Sequence, residues 1–179
     1  RATAAAVRAY GRERIAATAK HFPGLGGATA NTDDTSVTVS TPRADLLATA
    51  IPPFRAAIRA GAPLVMSSHA LYPAFDRGRI ASQSSELLDG LLRKRLGYRG
   101  VVVTDSLEAQ AVLDRSDVAT AAQRSIEGGS DLILMTGSGS FNQVQPKLLA
   151  RARRDAAFRA KVTRAADRVL ALKRRLGLG

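Results

Sequence analysis

Cysteine and tryptophan are absent from the 179 residues, and histidine occurs twice. Without cysteine the chain can form neither disulfides nor thiolate metal centres. Aromatic residues amount to 4%, too few for broad platforms on which bases or sugars stack. No apolar run approaches the ~20 residues that cross a bilayer, so no membrane span is expected. The opening RATAAAVRAYGRERIAA lacks the profile of a secretory signal. It reads as a helix already under way, and the expectation is a piece of a longer protein.

What is present in excess is positive charge. The net charge is +12, which invites a nucleic-acid reading. The distribution argues against it, because residues 151–179 hold ten Lys and Arg against two Asp. In that tail Phe158, Val162, Ala165, Ala166, Val169 and Leu172 recur with helical period. This is a surface helix with a solvated basic face, polyanion binding being the alternative. No nucleic-acid partner is expected.

Apolar residues make up 45%, enough for one domain with a real core. Four short apolar runs read as strands: IAATAKH ending at His21, APLVMSSH (62–69), GVVVTDS (100–106) and SDLILMTG (130–137). None alternates in and out, so each suits a parallel strand buried on both faces. Helical patterns separate them: PRADLLATAIPPFRAAIRAG, SSELLDGLLRKRLG and DVATAAQRSIEGG. Thr41 and Ser84 are candidate N-caps, and Gly61, Gly97 and Gly128 fall where C-caps belong. Pro52 and Pro53 are expected to kink or split the first helix.

Strands alternating with helices give an α/β fold with a parallel sheet. A doubly wound sheet and a (β/α)8 barrel compete. Lys20-His21, Ser67-Ser68-His69, Thr104-Asp105 and Thr136 lie at the C-terminal ends of different strands, which is the pattern of a barrel. Four strands are half of what a barrel needs. The expectation is therefore one partial domain over 1–179, the C-terminal half of a TIM barrel, whose N-terminal half would be its partner. GLGG (24–27) lacks the spacing of a dinucleotide fingerprint.

Asp105 closes the run Val101-Val102-Val103-Thr104. An acid there is costly unless it pairs or reacts; capping the following helix is the bland alternative. Lys20 can hold hydroxyls or a carboxylate, whereas His21 could simply bond backbone in the barrel wall, and His69 could only tie down the loop after it. Asp33 and Asp34 lie in a long loop, 22–41, of a length that is often functional, though NTDDT could be only a polar turn.

KHFPGLG, PLVMSSHALYPAFD, LLRKRLGYRGVVVTDSL and AAQRSIEGGSDLILM, in that order, resemble glycoside hydrolase family 3 on its bacterial β-N-acetylglucosaminidase branch. The resemblance implies a (β/α)8 barrel and retaining hydrolysis of terminal β-linked amino sugars, often from cell-wall fragments. It makes Asp105 the nucleophile and gives Lys20 and His21 to the sugar; His69 is a further candidate for binding substrate. It requires no metal and no organic cofactor, and it weakly favours an envelope or secreted location. The branch carries Asp-Ser-His in the loop after KHFPGHG, its histidine acting as general acid/base. Here those positions are Asn31, Thr32 and Asp33, and the second histidine of the motif is Leu25. Asp33 becomes the first candidate for acid/base, provided that burial or the neighbouring Asp34 raises its pKa. The alternative is a glycan-binding pseudo-enzyme that has lost its proton donor. A metal site built on His21, Asp33, Asp34 and Asp105 is a third reading, without a metal-ligand spacing to support it.

Overall fold

In the computed structural model, which describes residues 2–178, parallel strands β1 (Thr18–Phe22), β2 (Leu64–Ser67) and β5 (Val101–Thr104) pair in the order β1-β2-β5. The β2–β5 ladder runs unbroken from Leu64↔Val101 to Ser67↔Thr104. All four residues of β5 are buried, as a continuous Val run between covering layers requires. Strand β2 alternates between half-buried and buried. The fold is thus α/β, with the strand–helix alternation of a barrel.

The fourth strand departs from expectation. Residues 130–137 follow β5 in space, but only Leu132 forms a bridge, to Val103. Thr104 N–H donates to the Leu132 carbonyl at 3.0 Å, and the Thr104 hydroxyl then accepts from Leu134 N–H at 3.0 Å. A side chain takes the place of a backbone acceptor, so the ladder does not continue. An antiparallel hairpin of β3 (Leu71–Tyr72) and β4 (Asp76–Ile80) was not anticipated. Its turn is closed by Phe75 N–H donating to Tyr72 O at 2.9 Å, and the start of β4 is held by Asp76, whose Oδ1 accepts from Gly78 and Arg79 N–H.

The helices are α1 (Ala2–Arg12), α2 (Arg43–Asp45), α3 (Ile51–Arg59), α4 (Gln110–Leu113), α5 (Val118–Gly128), α6 (Ser140–Arg154) and α7 (Ala156–Leu176). A π turn, Leu46–Ala50, joins α2 to α3, and a longer π segment spans Glu86–Arg95. Pro52 and Pro53 lie in a contiguous helical run, 43–59, directly after the π turn, and their missing N–H groups leave carbonyls of that turn without their usual donors. The interruption expected at the prolines is therefore a change of helix type just before them. Thr41 is not a cap: α2 starts after Pro42, and no side chain caps it. Ser84 does accept from Leu87 N–H, and it also donates to Asp76 Oδ2 at 2.7 Å. The tail is two elements rather than one helix. Asp155 ends α6 and its carboxylate accepts from Phe158 N–H at 2.9 Å, capping α7.

The main core gathers Phe22, Val65 and Val102 from the sheet with Ile51 and Phe54 of α3 and Leu87, Leu88 and Leu92 of the π segment. Phe22 and Phe54 meet edge to face, with centroids 5.2 Å apart.

Gly128 was expected as a C-cap, but the left-handed cap residue is Gly129, with φ 115°. Gly128 serves close approach instead: a Cβ there would lie 2.7 Å from the Gln83 carbonyl carbon. Gly128→Ala should lower stability by about 1–3 kcal/mol through overpacking, read as a lower urea midpoint. An unchanged midpoint would mean that α5 can move off Gln83 without cost.

Candidate active site

The C-terminal ends of β1 and β5 bring His21 to Asp105. His21 Nε2 lies 3.2 Å from Asp105 Oδ2, and the Ser106 N–H donates to Oδ1 at 2.9 Å. Burial pushes the Asp105 carboxyl upward, but the His21 hydrogen bond and the Ser106 N–H outweigh it and hold the group below its ordinary value. Asp105 is therefore an ionised, half-buried carboxylate at the mouth of the sheet. It does not cap the next helix, which starts at Gln110. Lys20 is exposed and lines a cleft with His21, Gly24, Leu25 and Phe54.

His69 lies in the interior behind Ser106. It is fully buried, with Nδ1 2.8 Å from the Ser82 hydroxyl and Nε2 2.9 Å from the Ser106 carbonyl oxygen. A carbonyl only accepts, so Nε2 carries the proton and Nδ1 accepts from Ser82. Burial pushes the imidazole pKa down, against the pull of Asp105, and the neutral ring matches both partners. The side chain fixes the backbone next to Asp105 and has no nitrogen left for a ligand.

Ser106 is held at every polar group. Its N–H serves Asp105 and its carbonyl serves His69; its hydroxyl lies 2.9 Å from Glu108 Oε2 and 2.8 Å from Thr136 Oγ1. Glu108 also accepts from the N–H groups of Thr136 and Gly137, both at 3.0 Å. Burial raises the Glu108 pKa, and the surrounding hydroxyl and N–H donors overcome this and bring it from 4.5 to about 2. Glu108 was missed in the sequence because its partners lie about thirty residues away. The only available signal was an acid three residues after Asp105.

The 22–41 loop is fastened at three places, the first being Gly24, whose carbonyl accepts from the Tyr72 hydroxyl at 3.1 Å. The carbonyls of Thr32 and Asp33 accept from Ala111 and Gln110 N–H at 3.1 and 3.0 Å, and Ser36 donates to Asp114 at 2.7 Å. Further on, Val39 N–H donates to Leu71 O and Leu71 N–H to Val37 O. The loop therefore rides on the segment that follows Asp105. Asp33 and Asp34 are both exposed, so the burial invoked for Asp33 is not found. Asn31 contacts Asp33 twice: its Oδ1 accepts Asp33 N–H at 3.1 Å, and its Nδ2 donates to Asp33 Oδ2 at 3.4 Å. Among the described residues no three of His, Cys, Asp or Glu stand close enough to hold a metal ion.

Parallel strands with reactive groups gathered at their C-terminal ends define a barrel-type domain of the kind that hosts enzymes. The Glycosyl hydrolase family 3 N terminal domain matches residues 1–172, and the chain belongs to that family. A β-hexosaminidase from Stenotrophomonas maltophilia is 38% identical over 136 residues, covering 74% of this chain and 39% of that protein. A glycoside hydrolase family 3 β-N-acetylglucosaminidase from Paenibacillus superposes with a TM-score of 0.92 at 36% identity, over 98% of this chain and 34% of that one. A β-N-acetylhexosaminidase from Beutenbergia cavernae gives a TM-score of 0.83 at 39% identity, over 89% of this chain and 47% of that one. The chain spans between 34% and 47% of the length of these relatives.

Glu108 sets an acid-dependence of stability. Its folded pKa lies below its unfolded value, so its contribution is complete above about 4.5 and is lost as pH falls toward about 2. Glu108→Gln should be less stable than wild type at pH 6, and the gap in urea midpoint should close as pH is lowered through that window. A gap that stays constant would show that the Glu108 charge is not what holds the 136–137 turn.

Proposed function

We propose that the protein carrying this chain is a retaining β-N-acetylhexosaminidase-type glycosidase and that this chain supplies its nucleophile. The observation that carries the reading is the ionised Asp105 carboxylate, bonded to His21 at the strand ends, in a chain of glycoside hydrolase family 3. The names of the relatives, β-hexosaminidase and β-N-acetylglucosaminidase, support a β-linked amino sugar as the substrate. Cell-wall fragments are a natural source of such sugars, and an envelope or secreted location would suit them.

In this mechanism Asp105 Oδ2 attacks the anomeric carbon and the aglycone leaves, giving a glycosyl ester; water then cleaves the ester with retention. His21 and Lys20 hold sugar hydroxyls, and His21 also keeps Asp105 charged between turnovers. His69 is reassigned from binding sugar to positioning Asp105 through Ser106. The chain is the C-terminal half of the barrel, and the remaining strands complete the sugar site.

Asp33 is the proton donor of this proposal. A histidine donor needs an acceptor to orient it, and the family supplies an aspartate two residues earlier. In that position Asn31 offers its amide N–H to Asp33 Oδ2, which orients the carboxyl group and leaves Oδ1 to carry the proton. Membership of glycoside hydrolase family 3 and the names of the relatives support catalysis over a binding-only role. Asp34 stands next to Asp33 as the alternative acid.

Asp105→Ala in the whole protein should abolish turnover of both an aryl β-N-acetylglucosaminide with a good leaving group and a natural β-linked disaccharide. Asp33→Ala should cost about 10²–10⁴-fold on the disaccharide, the usual span for general acid catalysis, and far less on the aryl substrate. Activity surviving in Asp105→Ala would sink the nucleophile assignment. Equal losses on both substrates in Asp33→Ala would remove Asp33 as the donor.

A further inference from the structure

Two clefts lie at the N-terminal ends of the strands, the opposite end of the sheet from Asp105. The first is bounded by Arg99, just ahead of β5, and by Gly129–Asp131, just ahead of the Leu132 bridge. The second is bounded by Gly61 and Pro63 ahead of β2 and by Ile15 ahead of β1. Helix α7 borders both. It contributes Lys161, Arg164 and Arg168 to the first and Arg175 to the second. Steps of three, four and seven residues keep these four cations on one helix face, over about 21 Å at 1.5 Å per residue.

The charge is one-sided. Six basic side chains line the first cleft against Asp89 and Asp131, and four line the second with no carboxylate. The two acids are already occupied. Asp131 is bonded to Arg93 and to Arg168, and Asp89 lies near Arg93 and Lys161. Among the described residues, Lys94, Arg99 and Arg164 in the first cleft, and Arg8, Arg12, Arg14 and Arg175 in the second, make no ion pair. All seven are exposed. Cations brought together this way repel one another unless an anion joins them.

We infer that this end of the molecule binds a linear polymer of phosphate charges, laid along α7 from one cleft to the other. A single small anion would need donors converging on one point, and these are spread along a line. No aromatic side chain lines either cleft, which removes the stacking surface that single-stranded nucleic acid uses. The face is separate from the site around Asp105, so the polymer tethers the protein and leaves the sugar site free.

The test is binding of the whole protein to inorganic polyphosphate across a salt series, with orthophosphate, duplex DNA and anionic vesicles as comparisons. The expected result is saturable polyphosphate binding, with log K falling on log salt at a slope of about −3 or steeper, since each neutralised phosphate contributes about 0.7. The double variant Arg164→Glu, Arg175→Glu should bind at least tenfold more weakly and with a shallower slope. Its thermal midpoint and its turnover of the aryl substrate should be unchanged, which keeps this result independent of the glycosidase assignment. Unchanged binding by the variant would overturn the proposal. So would orthophosphate competing as well as the polymer at equal phosphate, or tighter binding to DNA or vesicles than to polyphosphate.

Discussion

Strand β5 is buried along its whole length and gripped by a carboxylate at each end, and the rest of the structure is arranged around that constraint. At its start the Asp131 side chain, 1% exposed, accepts the Val102 N–H and is bonded to Arg93 and Arg168. A buried acid is tolerable only with its lone pairs filled, and filling them fastens α7 and the π segment to the strand. At its end Asp105 meets the same requirement with fewer partners, His21 and the Ser106 N–H. The saturated carboxylate is structural, and the half-saturated one keeps capacity for a reacting atom.

The layers around Asp105 follow a similar gradient. His21 is partly exposed and touches the carboxylate directly. Behind Ser106, His69 is sealed in and neutral, and Glu108 is charged and saturated with donors. Opposite choices of protonation state serve the same end. Each group is held in the one form that matches its neighbours.

Much of this was legible in the sequence, for identifiable reasons. Continuous Val-rich runs signal strands buried on both faces, and polar residues at their ends signal the mouth of a barrel; Asp105 and the Lys20-His21 pair were found that way. Local rules failed where distant partners decide the outcome. The 130–137 run has the composition of a strand, yet a Thr104 hydroxyl ends its ladder. The hairpin at 71–80 has a weak apolar pattern and depends on Asp76 and on pairing with 37–39. His69 ends a strand-like run and could either bind a ligand or tie down the loop after it, and only packing reveals that it lies inside. The Asn31–Asp33 contact is local, but its meaning depends on what the loop is fastened to.

That fastening separates where a group is carried from what the group is. The hydrogen bonds joining the loop to the start of α4 run from backbone to backbone, through the carbonyls of Thr32 and Asp33. They are indifferent to the side chain at position 33. The loop is thus a fixed mount with an interchangeable head, and imidazole and carboxyl can trade places over evolutionary time without the barrel having to refold around the newcomer.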